Sequence, residues 1–352
     1  MKNKIGFIAV GQAAGNIGLI LEQKGYKVLY INTSQEDLDT LSNAKFKHHI
    51  KDGEGCNKDR LKAKQALMDD FESISRKISE GLGACEFVYV IFSSGGGTGS
   101  GAGPMLADLI LGDMEEGLLQ IQNVGIITIL PALDEPIKAN INSYECFSEL
   151  SQIDGLASTI ILDNSYGDKI VINQKFVKTF TSFLEIPNKH KSERGNIDKA
   201  EIMETLKATG MMQIIQISAK ESKTDVLLEK LNKGFYPAPE GDGILRYLAI
   251  SQANCQIDLN ILQMNVGIPL DIFQTYNEHS TIIGLSGLTY PAIRLKQTYE
   301  KIEASRERVL QSLEANTKIE LKEGINFLQE TTRSKPVKER RRLAEDNSTS
   351  KS

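Results

Sequence analysis

Residues 95–101 read Gly95-Gly96-Gly97-Thr98-Gly99-Ser100-Gly101 and stand between two apolar runs. The preceding run, Phe87–Phe92, is short, β-branched and aromatic, which is typical of a buried parallel strand, and the run from Ala102 to Leu111 predicts a helix. At such a junction, glycines let the backbone approach an anion, and the helix N-terminus adds partial positive charge. Thr98 and Ser100 add hydroxyl donors. We therefore predict a phosphate-binding turn, which fits this strand and helix frame better than a flexible glycine-rich loop.

Length and composition describe an ordinary globular protein. The chain has 352 residues, 40% of them apolar and 25% charged, which is enough for two domains with separate cores. The formal net charge of −5 argues against nucleic-acid binding by the folded body. The first apolar run is too short for a signal peptide or a membrane span, so we expect a cytoplasmic protein that does not enter a membrane.

The cysteines and histidines show no metal-ligand pattern. No two cysteines have C-x-x-C spacing, and the histidines form no ligand pattern with them. The residues are Cys56, Cys85, Cys146, Cys255, His48, His49, His190 and His279. This pattern predicts a reducing compartment and no metal site built by the protein itself.

Strand-like and helical runs alternate along the first half of the chain. This rhythm predicts an α/β fold with a parallel sheet and helices on both faces. The predicted strands are Ile5–Val10, Lys27–Asn32, Phe46–Ile50, Phe87–Ser93, Val124–Leu130 and Ser158–Leu162, and the predicted helices are Gly15–Gln23, Asp59–Glu80, Ala102–Gly112 and Ile137–Leu150. Ligands of such sheets bind beyond the carboxyl ends of the strands, so the small and polar loops there are candidate walls of one site.

The chain divides into four predicted parts. Residues 1–171 form a nucleotide-binding domain, and residues 172–190 form a core connecting helix whose aromatic residues pack and which Pro187 ends. Residues 191–315 form a smaller α+β domain. Its predicted strands lie near Met211–Ser218, Gly243–Ser251 and Thr281–Leu285, and its helices near Lys223–Asn232, Asp258–Asn265 and Ala292–Leu313. Residues 316–352 form a C-terminal extension with a basic tail that we expect to be disordered.

Three phosphate-binding designs compete for the glycine stretch. A Walker A loop requires a lysine, but Ala102, Gly103 and Pro104 follow Gly101. A dinucleotide Rossmann site requires G-x-G-x-x-G after the first strand and an acid after the second. Here Gln12 and Ala13 interrupt the first pattern, so an NAD-dependent oxidoreductase is a weak alternative. The third design carries its glycine loop on the fourth strand.

This third design is that of the tubulin/FtsZ superfamily, whose G-G-G-T-G-[ST]-G signature residues 95–101 resemble. Further loops resemble the family's in the same order, over about residues 1–310. The resemblance implies that GTP or GDP is bound by Gly11, Gln12, Ala13, Asn16, Asn32, Thr33, Gly55, Asn57, Gly95, Gly96, Gly97, Thr98, Gly99, Ser100, Gly101, Glu135, Asn164 and Asn173. In this assignment Glu135 lies near the ribose, Asn164 and Asn173 contact guanine, and Mg²⁺ arrives with the triphosphate.

Residues 196–201 resemble the N-x-D-x-x-D synergy loop of the family, with glutamate in place of the last aspartate. The resemblance implies that Asn196, Asp198 and Glu201 of one subunit complete the catalytic site of the next subunit in a filament. Hydrolysis would then need a positioned water and stabilisation of developing charge. The same residues also form a helix-capping pattern, which on sequence alone is the favoured interpretation.

Within the superfamily, the short length and basic tail resemble plasmid and phage TubZ proteins more than cell-division FtsZ. This resemblance implies a filament-forming GTPase that segregates or positions DNA, with FtsZ-like cell division as the alternative. A DNA-bound adaptor would then engage the tail through Lys335, Lys338 and residues 340–342. A basic tail is more commonly a solubilising extension, which stays open as the alternative.

Overall fold

A ten-stranded, mostly parallel sheet runs through the molecule. The computed structural model describes residues 1–51, 53–240, 245–254 and 256–317. The strands are β1 Ile5–Val10, β2 Lys27–Asn32, β3 Lys47–His49, β4 Phe87–Ser93, β5 Asn123–Leu130, β6 Ser158–Asp163, β7 Gly210–Ser218, β8 Tyr247–Ala253, β9 Asp271–Asn277 and β10 Ser280–Leu288. Those in the middle of the sheet are continuous apolar runs because helices cover both of their faces.

The strand order creates a crevice at one edge of the sheet. The order is β3-β2-β1-β4-β5-β6-β7-β10-β8-β9, and β10 is antiparallel to both of its neighbours. β1 pairs in parallel with β2 and β4, so that Val10 lies opposite both Ile31 and Phe92. The chain order reverses between β1 and β4, which is where open α/β sheets bind their ligands. The loop after β1 therefore lies beside the glycine stretch after β4.

The helices lie against this sheet. They are α1 Gln12–Gln23, α2 Gln35–Thr40, α3 Arg60–Leu82, α4 Thr98–Glu115, α5 Ile137–Leu150, α6 Lys169–Leu184, α7 Ile186–Lys189, α8 Lys199–Lys207, α9 Thr224–Lys233, α10 Leu259–Val266 and α11 Ala292–Thr317. Within the part of the chain that is described, no helix is both long and apolar enough to cross a membrane.

Helix α6 joins the two halves of the sheet through its aromatic side chains. The Phe180 ring meets Phe7 of β1 and Tyr89 of β4 edge-on, with centroids 6.1 Å and 5.7 Å away. Three residues further along α6, the Phe183 ring packs so closely on β10 that a Cβ on Gly284 would lie 2.5 Å from it. The predicted packing role of these aromatics is confirmed.

Several predicted boundaries were wrong. Helix α4 begins at Thr98 rather than Ala102, because the end of the glycine stretch is itself helical despite its low propensity. Helix α6 begins at Lys169, so Asn173 lies in its second turn, and Pro187 lies inside the short helix α7. Strand β9 and helix α2 were not predicted. Strand β8 begins at Tyr247, whereas the predicted strand begins near Gly243.

The predicted domain division stays a prediction. The sheet continues from β6 to β7 through parallel pairing, and residues 1–303 form one compact unit. The predicted disorder of the basic tail falls outside the described residues.

Candidate functional site

A cavity of about 340 Å³ lies at the reversal point of the sheet. The loops after β1, β2 and β4 and the segment before α3 form its walls. Ten of the predicted nucleotide-binding residues line it: Gly11, Gln12, Ala13, Asn32, Gly55, Asn57, Gly96, Gly97, Thr98 and Gly99. Six further residues line it. Ser34 and Cys56 belong to loops that the sequence predicted as walls, whereas Val10, Asp37, Lys58 and Ser93 were missed.

The N-terminus of α4 faces this cavity. Gly97 caps the helix without a side-chain hydrogen bond, and the first backbone bond of the helix runs from Gly101 N to Gly97 O (3.1 Å). The amides of the first turn of a helix have no partners within it, and the helix dipole adds partial positive charge there. An anion of phosphate size is the natural occupant of such an end.

Close packing explains why this turn needs glycine. A Cβ on Gly97 would lie 2.8 Å from the backbone of Lys58, and one on Gly101 would lie 2.4 Å from the carbonyl oxygen of Arg60. Any side chain at these positions would force the glycine turn away from the segment before α3. Gly11, at the start of the neighbouring loop, has φ +83°, a left-handed conformation that favours glycine.

Hydroxyl groups hold the loops together. Thr33 is fully buried, and its hydroxyl lies 2.7 Å from the Thr98 hydroxyl and 3.3 Å from the Cys56 sulfur. The Ser100 hydroxyl donates to Gly96 O, and its side chain is buried. The expectation that Ser100 adds a donor for phosphate is therefore replaced by a role within the turn. Thr33 likewise supports the cavity from behind its wall.

Arg60 braces the glycine turn from beneath. Pro104 has no N–H, so it cannot bond the carbonyl of Ser100 four residues earlier, as a helix would otherwise require. The guanidinium of Arg60 donates to that carbonyl from Nε (3.3 Å) and Nη2 (3.1 Å). Arg60 is buried and also pairs with Glu145 (2.9 Å) and Glu149 (2.6 Å) on α5. In the sequence, only Pro104 indicated that the Ser100 carbonyl would need a donor from outside its own helix.

A second cluster lies where β5 and β6 end and α6 begins. Glu135 pairs with Lys169 at 2.9 Å and accepts a hydrogen bond from Ala132 N at 3.2 Å. Burial acts to raise the pKa of the Glu135 carboxyl. The bonds from Lys169, Ala132 and the Asn164 side chain outweigh burial, so the pKa lies below its usual value of 4.5. The structure thus brings Glu135 and Asn164 into contact, but neither lines the cavity.

A buried ion pair lies directly behind this cluster. Asp163, at the end of β6, is fully buried and bonds Arg294 of α11 in a bidentate pair, at 2.6 Å from Nε and 3.2 Å from Nη2. Arg294 also donates to Pro131 O at 2.8 Å. The pair ties α11 to the loops that carry Glu135 and Asn164.

The remaining nucleotide-site predictions lie apart from the cavity wall. Asn173 is buried on α6, Asn16 is exposed on α1, and the buried Gly95 packs against Pro131. A larger cavity of about 570 Å³, between α6, β7, α9 and β10, is lined by none of the predicted site residues.

The predicted catalytic carboxylates form a complete capping box at the start of α8. Asp198 Oδ1 accepts from Ala200 N (2.7 Å) and Glu201 N (2.9 Å), while Glu201 Oε2 accepts from Asp198 N (2.7 Å). Asn196 Oδ1 accepts from Ser192 N at 2.9 Å. The three side chains are not in the wall of the 340 Å³ cavity, and Asn196 and Asp198 line an open depression of their own. The capping interpretation is confirmed for the isolated chain.

Comparison with known proteins identifies the class. The Tubulin/FtsZ family GTPase domain matches residues 4–171, which contain every strand and loop of the cavity. The chain therefore carries, over residues 4–171, a GTPase domain similar to that of the tubulin/FtsZ family, and it is a GTPase. This excludes the oxidoreductase alternative.

Among its relatives, the chain is similar to TubZ proteins over most of its length. The tubulin-like protein TubZ of Clostridium botulinum C phage is 29% identical over 326 residues, which is 91% of this chain and 88% of that protein. The crystal structure of Clostridium botulinum phage c-st TubZ is 27% identical, with a TM-score of 0.77 over 88% of this chain and 100% of that one. A helical model of the TubZ-Bt two-stranded filament is 17% identical and shares the fold, with a TM-score of 0.76 over 93% and 94% of the two chains.

Proposed function

We propose that this GTPase binds GTP in the 340 Å³ cavity and assembles head to tail, so that Asp198 of one subunit completes the cavity of the next. One observation carries the proposal: among the residues that the structure describes, the cavity has a single carboxylate in its wall, and the catalytic candidates of the same chain lie outside that wall. The single carboxylate, Asp37, accepts a hydrogen bond from Asn32 at 3.2 Å. A second subunit would supply the carboxylate that hydrolysis needs.

The nucleotide would lie along the carboxyl edge of the sheet. Its phosphates would occupy the N-terminus of α4, with Glu135 near the ribose and Asn164 and Asn173 at the guanine. Asp37 alone cannot form a cage for Mg²⁺, which favours oxygen ligands in octahedral geometry. The ion would therefore be held mainly by the phosphate oxygens and water.

Asp198 can serve both as a cap and as a catalytic group. Both capping bonds use Oδ1, and the residue is exposed, so Oδ2 can meet a group of the next subunit. There it would orient a water in line with the terminal phosphate, while Glu201 holds the Asp198 backbone in place. Asn196 keeps the preceding turn closed through its bond to Ser192.

Exposed apolar side chains support an assembly interface on two faces. Leu61, next to the cavity-bracing Arg60, is 76% exposed. Met264 on α10, and Ile268 and Leu270 between α10 and β9, are 85%, 81% and 75% exposed. The Thr275 hydroxyl on β9 donates to Gly195 O at 2.9 Å, which ties this second surface to the Asp198 loop. Apolar patches of this kind commonly mark protein interfaces.

The substitution Asp198→Asn distinguishes the proposed catalytic role of this carboxylate from its role as a helix cap. Asparagine caps a helix as well as aspartate does, so Asp198→Asn should keep the thermal midpoint while phosphate release falls at least about 100-fold, in the range seen on loss of such groups. Asp258→Asn is the matched control, because Asp258 caps α10 through the same Oδ1 geometry. Normal turnover by Asp198→Asn would remove this residue from the mechanism.

A mixing experiment tests whether the site is shared. Gly97→Ala should disable the cavity of its own subunit but leave its Asp198 loop intact. Mixed with Asp198→Asn, it should restore phosphate release above the sum of the two variants alone, because some contacts pair an intact cavity with an intact loop. A site contained within one chain would show no restoration.

A role in DNA positioning is the finer part of the proposal. It is supported by similarity to TubZ of a phage and by the basic residues between Lys335 and Arg342, which lie outside the described part of the chain. Pull-down of a DNA-bound adaptor with the full chain and with a chain ending at residue 333 would test it. Equal recovery would exclude the tail as the attachment point.

A further inference from the structure

In the described part of the chain, the lining of the proposed phosphate cavity contains one cationic residue, Lys58. The other cation nearby, Arg60, is committed to the Ser100 carbonyl and to two glutamates. Among the described residues, no carboxylate lies within ion-pair distance of the Lys58 amine. The glycine stretch itself has no lysine at the Walker position. A polyphosphate in this cavity would therefore face a single uncommitted positive charge.

The backbone around Lys58 is strained. Asn57 and Lys58 have φ values of 42° and 59°, so two consecutive residues with side chains adopt the left-handed conformation. Such conformations cost about 1–3 kcal/mol each and persist only where the surroundings hold them. A lysine has no conformational advantage at this position, whereas glycine or asparagine would have one. This strain marks a position where the side chain itself has a use.

The strained segment is fastened to the glycine turn. The Asn142 amide donates to Lys58 O at 3.0 Å and to Gly96 O at 2.8 Å. The Lys58 backbone also lies against Gly97, where a Cβ would come within 2.8 Å. One side chain of α5 thus sets the position of Lys58 relative to the α4 N-terminus.

We propose that Lys58 is the phosphate-binding cation of this site and takes the part that a lysine in the glycine loop plays in Walker A proteins. Its ammonium group donates to phosphate oxygens of the bound nucleotide, while the α4 amides bind the same chain of phosphates from the other side. The inference deepens the proposed nucleotide site and rests on it.

The test measures GTP and GDP affinity by calorimetry on the full chain, below the concentration at which it assembles. Lys58→Asn removes the charge and keeps a residue that tolerates the left-handed backbone, so the fold should survive. We expect GTP affinity to fall about 10-fold to 100-fold, the range for losing a charge-assisted hydrogen bond. Lys58→Arg should stay within about threefold of the parent, and Lys62→Ala, on an exposed position of α3, within about twofold.

Two results would overturn the inference. They are GTP binding by Lys58→Asn within about twofold of the parent, and an equal loss in Lys58→Arg and Lys58→Asn, since charge would then not be what matters. Either result leaves the proposed function intact as long as the parent binds GTP. A parent that binds no GTP would instead contradict the nucleotide site as a whole.

Discussion

Single residues shape the proposed nucleotide site by bonding backbone groups that the glycine turn cannot bond itself. Ser100 presents a carbonyl that Pro104 cannot bond, and buried Arg60 takes it with two N–H groups. The same guanidinium holds Glu145 and Glu149, so one side chain connects α3, α4 and α5. The α4 N-terminus thereby keeps its position beside the loop after β1.

Arg60→Ala should weaken both the fold and the site. It leaves the Ser100 carbonyl without its donor in a buried position, which costs about 1–3 kcal/mol, and we expect the free energy of unfolding in urea to fall by that amount. GTP affinity should fall as well, because the α4 N-terminus loses its brace. Lys64→Ala is the control, since its pair with Glu149 is partly exposed and should contribute less than about 1 kcal/mol. Equal effects of the two variants would contradict the bracing role.

Whole elements connect the site to the rest of the molecule. Helix α11 reaches the nucleotide edge through the buried pair of Arg294 and Asp163. The segment before α8 is held to strands β8 and β9 of the sheet by two contacts. The Thr275 hydroxyl donates to Gly195 O, and His190 Nδ1 lies 2.7 Å from the Ser251 hydroxyl. The proposed catalytic loop thus connects α7 to strand β8 and the edge strand β9, and its geometry depends on the buried imidazole of His190.

His190 should make this strap sensitive to acid. Burial, with smaller contributions from His279 and Lys189, lowers the pKa of His190 below its usual value of 6.5. The unfolded chain then binds a proton before the folded chain does. Stability is full above about pH 6.5 and falls as the pH drops from there towards the lowered pKa. His190→Gln should reduce the difference between urea midpoints at pH 7.5 and pH 5.5, and an unchanged difference would show that other groups cause it.

At the scale of the whole molecule, the two halves of the proposed active site lie on different surfaces. The cavity opens at the carboxyl edge of the parallel strands, while the Asp198 loop packs against β9 at the far end of the sheet order. On the proposed mechanism, such a molecule would need a second copy for hydrolysis. Turnover per subunit should therefore rise above a threshold protein concentration.

The exposed apolar surface between α10 and β9 gives a direct test of assembly. Ile268 is 81% exposed, so Ile268→Asp should leave the fold and GTP binding unchanged while it abolishes sedimentation with GTP, because a charge would be buried in the contact. Ile268→Val, which keeps the surface apolar, should sediment like the parent. Sedimentation of Ile268→Asp with GTP would place the contact elsewhere.

Local patterns in the chain were strong enough to predict most of the parallel half. β1 and β2 have their predicted bounds because continuous apolar runs end at small or polar loops. Strand β9 was not predicted. It is an edge strand, Asp271–Asn277, and because few of its side chains are buried it lacks a clear apolar pattern. The start of α4 was misplaced since glycine and serine are poor helix formers, and only packing against the segment before α3 makes them helical.

The sequence by itself predicted a phosphate-binding turn at the glycine-rich junction on the fourth strand and determined that Asp198 and Glu201 can cap a helix, because both are properties of short segments. The tertiary structure alone decided that Arg60 braces the turn, that Ser100 faces inward and that Lys58 stands against Gly97. The contacts of Arg60 with Ser100 and of Lys58 with Gly97 join residues about 40 positions apart. Their partners are set by strand order and helix packing, which no local pattern contains.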